Sequence, residues 1–140
     1  MNQNNRMSRA GVSTLLIAVI ACFVLAAGIV SAGETIQIHE DGGGSTVELS
    51  CGDRLEVVLS ANPTTGYTWE VSSLDAAVLT VSGDASFKPD SGLIGAGGRM
   101  TFSFDTGAAG RTALRLIYHR PFEKGVAPLK VFELNVTVKP

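Results

Sequence analysis

Hydrophobic and polar residues alternate with a period of two along most of residues 33–140. Successive side chains of a β-strand point to opposite faces, so this alternation places one face of each strand in a core and the other in solvent, as antiparallel sheets require. Only residues 73–79 could instead form a brief helical turn. The alternating apolar positions are Ile36 and Ile38, Leu55, Val57 and Leu59, Tyr67, Trp69 and Val71, Met100, Phe102 and Phe104, Leu114, Leu116 and Tyr118, and Phe132, Leu134, Val136 and Val138.

The alternating runs are separated by turn signals, each with a glycine or a proline, at residues 41–44, 51–53, 62–63, 82–84 and 107–110. Seven to eight short strands separated in this way predict an all-β fold, an immunoglobulin-like antiparallel β-sandwich. Trp69, in the middle of a strand, is expected to fill its centre. The paired cysteines of antibody domains are absent from the sequence, so the likeness is one of architecture.

The first 32 residues differ in composition from the rest of the chain. They contain two arginines, no acidic residue and an apolar run over residues 12–30, followed by small residues up to Ala32. This pattern predicts a secretory signal peptide that is cleaved after Ala32. Because the run is longer than the usual signal-peptide core, an uncleaved membrane anchor stays open, as does a lipoprotein cleavage site at Cys22. In each case residues 33–140 are exported, and are either secreted or tethered to the outer face of the cell membrane.

The net charge of residues 33–140 is −4, because both charged residues before them are arginines. A strong basic excess is typical of nucleic-acid-binding proteins, so we expect no nucleic-acid partner. A region of this length supports one hydrophobic core and therefore one domain. Its single cysteine, Cys51, can form no internal disulfide and is expected to be a small buried apolar residue.

Three connections between the predicted strands are unlike ordinary turns, and in a sandwich they would meet at the same end. Proline in the first connection fixes φ, two β-branched threonines restrict their side-chain torsions, and glycine permits the return into the next strand. We therefore predict a stiff, protruding loop with two small hydroxyls at its tip, with an ordinary turn as the alternative. Its residues are Asn62, Pro63, Thr64, Thr65, Gly66 and Tyr67.

The second connection, residues 86–98, is long for a hairpin and ends in Gly95, Ala96, Gly97 and Gly98. Long loops in compact domains tend to be functional or disordered. The small side chains leave backbone N–H and C=O groups bare, which permits close approach by another chain. The alternative is a mobile glycine-rich loop. The segment is no phosphate-binding loop, because it lacks a Gly-Lys-Ser/Thr ending and a following helix.

The third connection begins with Arg120, Pro121, Phe122 and Glu123 and continues to Pro128. Its proline-stiffened turn presents a phenylalanine between opposite charges, past the end of a strand. An aromatic side chain flanked by charge at the tip of a loop is typical of interface anchors. The alternative is that Phe122 folds back onto the edge of the sandwich.

These three motifs, in this order, resemble the chagasin-type inhibitors of papain-like cysteine proteases. Asn-Pro-Thr-Thr-Gly-Tyr at residues 62–67 matches the most diagnostic loop of that family, and Gly-Ala-Gly-Gly at residues 95–98 matches its glycine-rich second loop. Arg-Pro-Phe-Glu at residues 120–123 resembles its third loop, where the family usually shows tryptophan in place of Phe122. The exchange alters one contact and removes an indole N–H donor. The resemblance covers essentially all of residues 33–140.

The resemblance implies a sandwich whose three loops enter the cleft of a papain-like cysteine protease together as a wedge. Residues 64–66 would then cover the catalytic cysteine and histidine of the protease. Residues 95–98 would lie along the cleft through their backbone, and residues 120–122 would fill the opposite side. The implied activity is reversible, competitive inhibition by a monomer that carries no metal and no cofactor and is not an enzyme.

Two other classes of function stay open. An enzyme would need a catalytic or metal-binding constellation, but the two histidines, His39 and His119, fall on separate predicted strands. His39 with Glu40 and Asp41 is only a weak metal-binding signal. A non-inhibitory extracellular binding or adhesion module is compatible with the same fold. Asn135 begins an Asn-Val-Thr sequence on the polar face of its strand, which fits an N-glycosylation acceptor.

Overall fold

Nine β-strands and two short 3-10 helices make up the regular structure of residues 33–140, the part of the chain that the computed structural model describes. The predicted signal peptide or membrane anchor lies outside the described residues. Within them, no helix is long and apolar enough to cross a membrane. The 3-10 helices are Glu40–Gly42 and Pro63–Thr65, and the strands are β1 (Thr35–His39), β2 (Thr46–Ser50), β3 (Arg54–Ala61), β4 (Thr68–Ser73), β5 (Leu79–Val81), β6 (Ser86–Pro89), β7 (Gly98–Thr106), β8 (Gly110–His119) and β9 (Lys130–Lys139).

The strands form two sheets that pack as a sandwich. One sheet has the order β1-β3-β7, with β5 and β6 following one another along the far edge of β7, and the other has the order β2-β9-β8-β4. The predicted all-β sandwich is therefore confirmed. The structure corrects two details: the described residues form nine strands rather than seven to eight, and β1 pairs with β3, and β2 with β9, in parallel.

Both corrections arise where alternation carries no information. The chain passes from β1 in one sheet to β2 in the other through a short connection, residues 40–45. Alternation records which face of a strand is buried, but not the direction of its neighbour, so it cannot reveal parallel pairs. The additional strand, β6, lies within the predicted loop of residues 86–98, and all four of its residues are exposed. A strand without a buried face has no hydrophobic period to detect.

The inward-facing side chains of both sheets meet in one core. Trp69 is 3% exposed, as predicted, and its indole Nε1 donates to the carbonyl of Ser60 over 2.9 Å. Full burial of each leucine or phenylalanine contributes about 1.5–3 kcal/mol, so packing can hold a domain that has a single cysteine. Side chains with no exposed surface are those of Leu55, Val57, Leu59, Leu79, Phe104, Leu114 and Leu116.

Cys51 lies at the surface, so the prediction of a buried apolar residue is wrong. It occupies the tight turn between β2 and β3, where the following Gly52 has a φ of 97°. The sulfur lies 3.5 Å from the carbonyl oxygen of Gly107. Residues in such a turn fall outside the alternation of the flanking strands, so burial in β2 and β3 does not extend to this side chain.

The carboxylate of Asp53 fastens the beginning of β1 to the turn between β2 and β3. One carboxylate oxygen accepts the backbone N–H of Ser50 over 2.8 Å, and the other accepts the N–H of Glu34 over 2.9 Å. The N–H of Arg54 completes the contact by donating to the carbonyl of Glu34 over 2.7 Å. The hydrogen bond from Ser50, followed by that from Glu34, holds the pKa of Asp53 below its ordinary value, because both favour the charged form.

We predict that Asp53→Asn lowers the unfolding temperature at pH 7 by roughly a few degrees, because an amide keeps only one acceptor oxygen for two donors. Folding depresses the pKa of Asp53, so the carboxylate stabilises the fold above the unfolded pKa and ceases to do so as the pH falls through the folded pKa. The unfolding temperatures of variant and wild type should therefore converge in acid. Circular dichroism melts between about pH 2 and 7 check this.

The control for this experiment is Asp84→Asn, at an exposed aspartate in the turn between β5 and β6. We expect this substitution to leave the unfolding temperature close to that of the wild type across the same pH range. The role of the Asp53 carboxylate would be contradicted if the two substitutions lowered the unfolding temperature equally, or if Asp53→Asn lowered it by the same amount at every pH.

Candidate functional site

Three loops lie at the end of the sandwich where β3 and β8 end and where β7 and β9 begin. Loop 1 (residues 62–67) joins β3 to β4, loop 2 (residues 90–97) joins β6 to β7, and loop 3 (residues 120–129) joins β8 to β9. Each loop carries one of the three sequence motifs, except that Gly98, the last residue of the second motif, begins β7. The strand order thus brings together the connections that were predicted to share an end.

Hydrogen bonds join the three loops to one another. The side-chain amide of Asn62 in loop 1 donates to the carbonyl of Gly95 in loop 2 over 3.2 Å. The guanidinium Nε of Arg120 in loop 3 donates to the carbonyl of Thr65 in loop 1 over 3.2 Å. Loop 1 is therefore in the middle and has a polar contact to each of the other two.

Loop 1 is held in shape by its own first residue. The side-chain oxygen of Asn62 accepts the backbone N–H of Thr64 over 3.2 Å as well as the hydroxyl of that threonine. The carbonyl of Asn62 accepts the hydroxyl of Thr65 over 2.6 Å. Pro63 begins the 3-10 turn and Gly66 ends it with a φ of 81°, which a glycine adopts without strain. Both threonine hydroxyls therefore serve to stiffen the loop.

Arg120 makes three side-chain contacts, and two of them connect loop 3 to loop 1. Besides its bond to Thr65, its guanidinium carbon lies 4.5 Å from the ring centroid of Tyr67, within the range of a cation–π interaction. Its Nη1 also donates to the carboxylate of Glu123 over 2.9 Å. The hydrogen bond to Glu123 raises the pKa of Arg120 above its usual value, so the side chain stays charged.

Phe122 lies beside loop 1 with most of its surface open to solvent. A Cβ placed on Gly66 would lie 3.1 Å from the Cε1 atom of the Phe122 ring, so the ring edge packs against the bare backbone of the glycine. The phenylalanine remains 71% exposed. It therefore contacts loop 1 and still presents an aromatic surface, while its neighbour Pro121 is exposed.

Loop 2 is shorter than the sequence suggests, because residues 86–89 belong to β6. Gly98 is buried as the first residue of β7, where a Cβ would lie 2.2 Å from the carbonyl oxygen of Lys88. Gly95, Ala96 and Gly97 remain in the loop, which is closed by a 3.0 Å bond from the N–H of Asp90 to the carbonyl of Gly97. The structure therefore brings these three residues to the loop end and places Gly98 in the sheet.

The tip of loop 2 carries two residues that the sequence motifs omit. Leu93 is 77% exposed and the side chain of Ile94 is fully exposed. A pair of large apolar residues at the tip of an otherwise small and polar loop is unfavourable in water unless another molecule covers it. Two adjacent large apolar residues within the predicted long loop were the sequence signal that could have identified them.

The two histidines are at separate places in the structure. His39 is exposed at the end of β1, and the Nε2 atom of His119 on β8 lies 2.7 Å from a carboxylate oxygen of Glu70 on β4. Among residues 33–140, no three His, Cys, Asp or Glu side chains are grouped as metal ligands. At the loop end, the charged side chains of Arg120 and Glu123 form an ion pair with each other.

A family model described as "Chagasin family peptidase inhibitor I42" matches residues 48–136 of this chain. The chain belongs to the chagasin family. Chagasin of Trypanosoma cruzi is 38% identical to it over 84 residues, which are 56% of this chain and 76% of the relative. Amoebiasin-1 of Entamoeba histolytica is 31% identical over 104 residues, which are 74% of this chain and 100% of the relative. The resemblance drawn from the three motifs is thus confirmed.

Solved structures have the same fold. The cysteine protease inhibitor EhICP2 from Entamoeba histolytica matches 78% of this chain and 99% of its own with a TM-score of 0.70 and 25% identity. PbICP-C, solved in complex with falcipain-2, matches 76% of this chain and 100% of its own with a TM-score of 0.56 and 20% identity. The protein is therefore a chagasin-family cysteine protease inhibitor and not an enzyme.

We predict that Gly66→Ala destabilises this chagasin-family protein by about 2 kcal/mol, because it adds a Cβ at positive φ and forces the Phe122 ring away. Gly83→Ala is the matched control, since Gly83 also has positive φ (71°) but a Cβ added there would meet no atom within 4 Å. Urea unfolding of both variants isolates the contribution of the contact with Phe122. Equal losses of unfolding free energy would mean that loops 1 and 3 are not packed together.

Proposed function

We propose that this chain inhibits papain-like cysteine proteases reversibly and competitively, by filling the active-site cleft of the protease with loops 1, 2 and 3. The observation that carries the proposal is the bonding of the three motif-bearing loops into one end of the sandwich, through Asn62 and Arg120. Stiff loops lose little conformational entropy on binding, so more of their contact area is converted into affinity. Export of the domain, which would bring it to extracellular proteases, is part of the same proposal.

The conformation of loop 1 suits an inhibitor better than a substrate. A papain-like protease attacks a carbonyl carbon with a thiolate assisted by histidine. In loop 1 the carbonyls of Asn62 and Pro63 accept the N–H groups of Thr65 and Gly66 over 3.2 and 3.1 Å, so the backbone is curled and these two carbonyls are occupied. Such a loop can cover the catalytic cysteine and histidine of the protease without offering them a correctly placed carbonyl.

The outer surface of the loops supplies apolar anchors. Affinity at interfaces is concentrated in a few large side chains that become fully buried. The large apolar side chains that the loops expose are Leu93 and Ile94 on loop 2 and Phe122, Val126 and Leu129 on loop 3. The structural neighbour PbICP-C was solved in complex with falcipain-2, which supports a cysteine protease as the partner. The structure of this chain adds a reason why the loops would bind: they present apolar surface on a rigid base.

We predict that the purified domain, added at micromolar concentration, raises the apparent KM of activated papain and leaves its kcat unchanged, because the loops and the substrate compete for one cleft. Full activity should return after dilution, since no covalent bond is made. Trypsin, a serine protease, serves as the control and should be unaffected. Undiminished papain activity would refute inhibition, and a lowered kcat at constant KM would refute competition.

We predict that Leu93→Ser with Ile94→Ser weakens papain inhibition about 10- to 100-fold, as expected for the loss of two buried anchors. Thr65→Ala with Phe122→Ala should weaken inhibition similarly. Val81→Ser is the control, because Val81 is a 49% exposed apolar residue on β5, opposite Phe104 and away from loops 1 to 3. Inhibition constants and circular dichroism melts distinguish binding from stability. If both loop variants inhibited papain as strongly as the wild type, the protein would bind proteases through another surface.

A further inference from the structure

Tyr118 has two roles in the structure that its place in the hydrophobic pattern does not explain. It lies on the inner face of β8, is 6% exposed, and is followed directly by His119 and loop 3. Its ring centroid is 5.0 Å from that of Trp69 and 5.3 Å from that of Tyr67. Those contacts need only an aromatic ring. The hydroxyl group must be explained separately, since a polar atom in a core is costly unless it is bonded.

The hydroxyl of Tyr118 accepts the backbone N–H of Asn62 over 3.1 Å. Asn62 is the residue where the chain leaves β3, and its side chain and carbonyl hold Thr64, Thr65 and Gly95. A single hydrogen bond from a core side chain therefore fixes the residue that shapes loop 1 and bonds it to loop 2. If that bond were lost, the N–H of a half-buried residue would have to find another partner, and loop 1 would shift to provide one.

Tyr118 also fixes the base of loop 3. The carbonyl of Tyr118 accepts the N–H of Leu129, the last residue of loop 3, over 2.8 Å. Its ring stacks with Tyr67, over whose ring the guanidinium of Arg120 lies at 4.5 Å. The side chain and main chain of Tyr118 thus contact loops 1 and 3 directly, and they reach loop 2 through the side chain of Asn62.

We propose that Tyr118 is a positioning residue for protease inhibition: its hydroxyl holds the Asn62 N–H so that loops 1 and 2 are presented to the protease already in their bound arrangement. This inference rests on the proposed function, because it concerns the same loops. The residue touches no protease atom in this scheme and acts through Asn62. Loss of such preorganisation lowers affinity in proportion to the fraction of molecules that keep the binding-competent arrangement.

The test is Tyr118→Phe, which keeps the ring and removes the hydroxyl. Thr112→Val is the matched control: Thr112 lies on the same strand, is 7% exposed, and its hydroxyl accepts the backbone N–H of Asp75 over 2.8 Å at the opposite end of the sandwich. Both variants remove one inward-facing hydroxyl that accepts one backbone N–H. They differ in whether that N–H belongs to loop 1.

We expect Tyr118→Phe to raise the inhibition constant for papain about tenfold and to speed hydrogen exchange of the Asn62 amide at least about tenfold. Thr112→Val should speed exchange of the Asp75 amide instead and leave the inhibition constant within about twofold of the wild type. If Tyr118→Phe is the less stable variant, both are measured again in trimethylamine N-oxide, which strengthens the folded state. If the weaker inhibition by Tyr118→Phe disappeared in trimethylamine N-oxide, the inference would be overturned, because the loss of inhibition would reflect stability alone.

Two other outcomes separate this inference from the proposed function. If Tyr118→Phe inhibited papain as strongly as the wild type, or if the exchange rate of the Asn62 amide were unchanged, the positioning role would be overturned and the inhibitor proposal would remain intact. Failure of the wild-type domain to inhibit papain would overturn the inhibitor proposal. In that case amide exchange, measured without protease, would still decide whether the hydroxyl holds loop 1.

Discussion

The geometry of the loop end depends on the hydrogen bonds of one half-buried residue, Asn62. Its side-chain oxygen and carbonyl accept from Thr64 and Thr65, its side-chain nitrogen donates to Gly95, and its backbone N–H donates to Tyr118. An unsatisfied polar group in such a place costs about 1–3 kcal/mol. Loop 1 therefore cannot change shape without also breaking its contact with loop 2 or with the core. That coupling converts short glycine- and threonine-rich segments into a fixed surface.

The two ends of the sandwich differ in the contacts that their loops and turns make. At the end where β3 begins, the carboxylate of Asp53 closes the chain over the start of β1, and the exposed Cys51 lies in the neighbouring turn. At the end where β3 finishes, the loops carry exposed apolar side chains on a rigid base. Between them the core stabilises both ends by apolar burial, without help from a disulfide. The exposed apolar side chains at the loop tips therefore contribute little to the core.

The sandwich and the three loops could be predicted from the sequence because both depend on patterns among residues that are close together in the chain. Alternation identifies a buried face, and the motif at residues 62–67 combines residues that stiffen a turn. The direction of neighbouring strands is not recorded in this way, so the parallel pairs were missed, and β6 was missed because it has no buried face. Cys51 was misplaced because a turn interrupts the period. Leu93 and Ile94 were missed because their exposure depends on where loop 2 is closed, by the bond between Asp90 and Gly97.

The exchange of the family's usual tryptophan for Phe122 has a structural consequence. A phenylalanine ring cannot donate a hydrogen bond, so no polar contact of its own can orient it. Its position instead depends on Gly66, whose bare backbone receives the ring edge, and on Arg120, which ties loop 3 to the carbonyl of Thr65. In this chain, contacts with loop 1 therefore help to position loop 3. Its exposed ring can make an apolar contact, while the polar contacts that fix the loop are all internal.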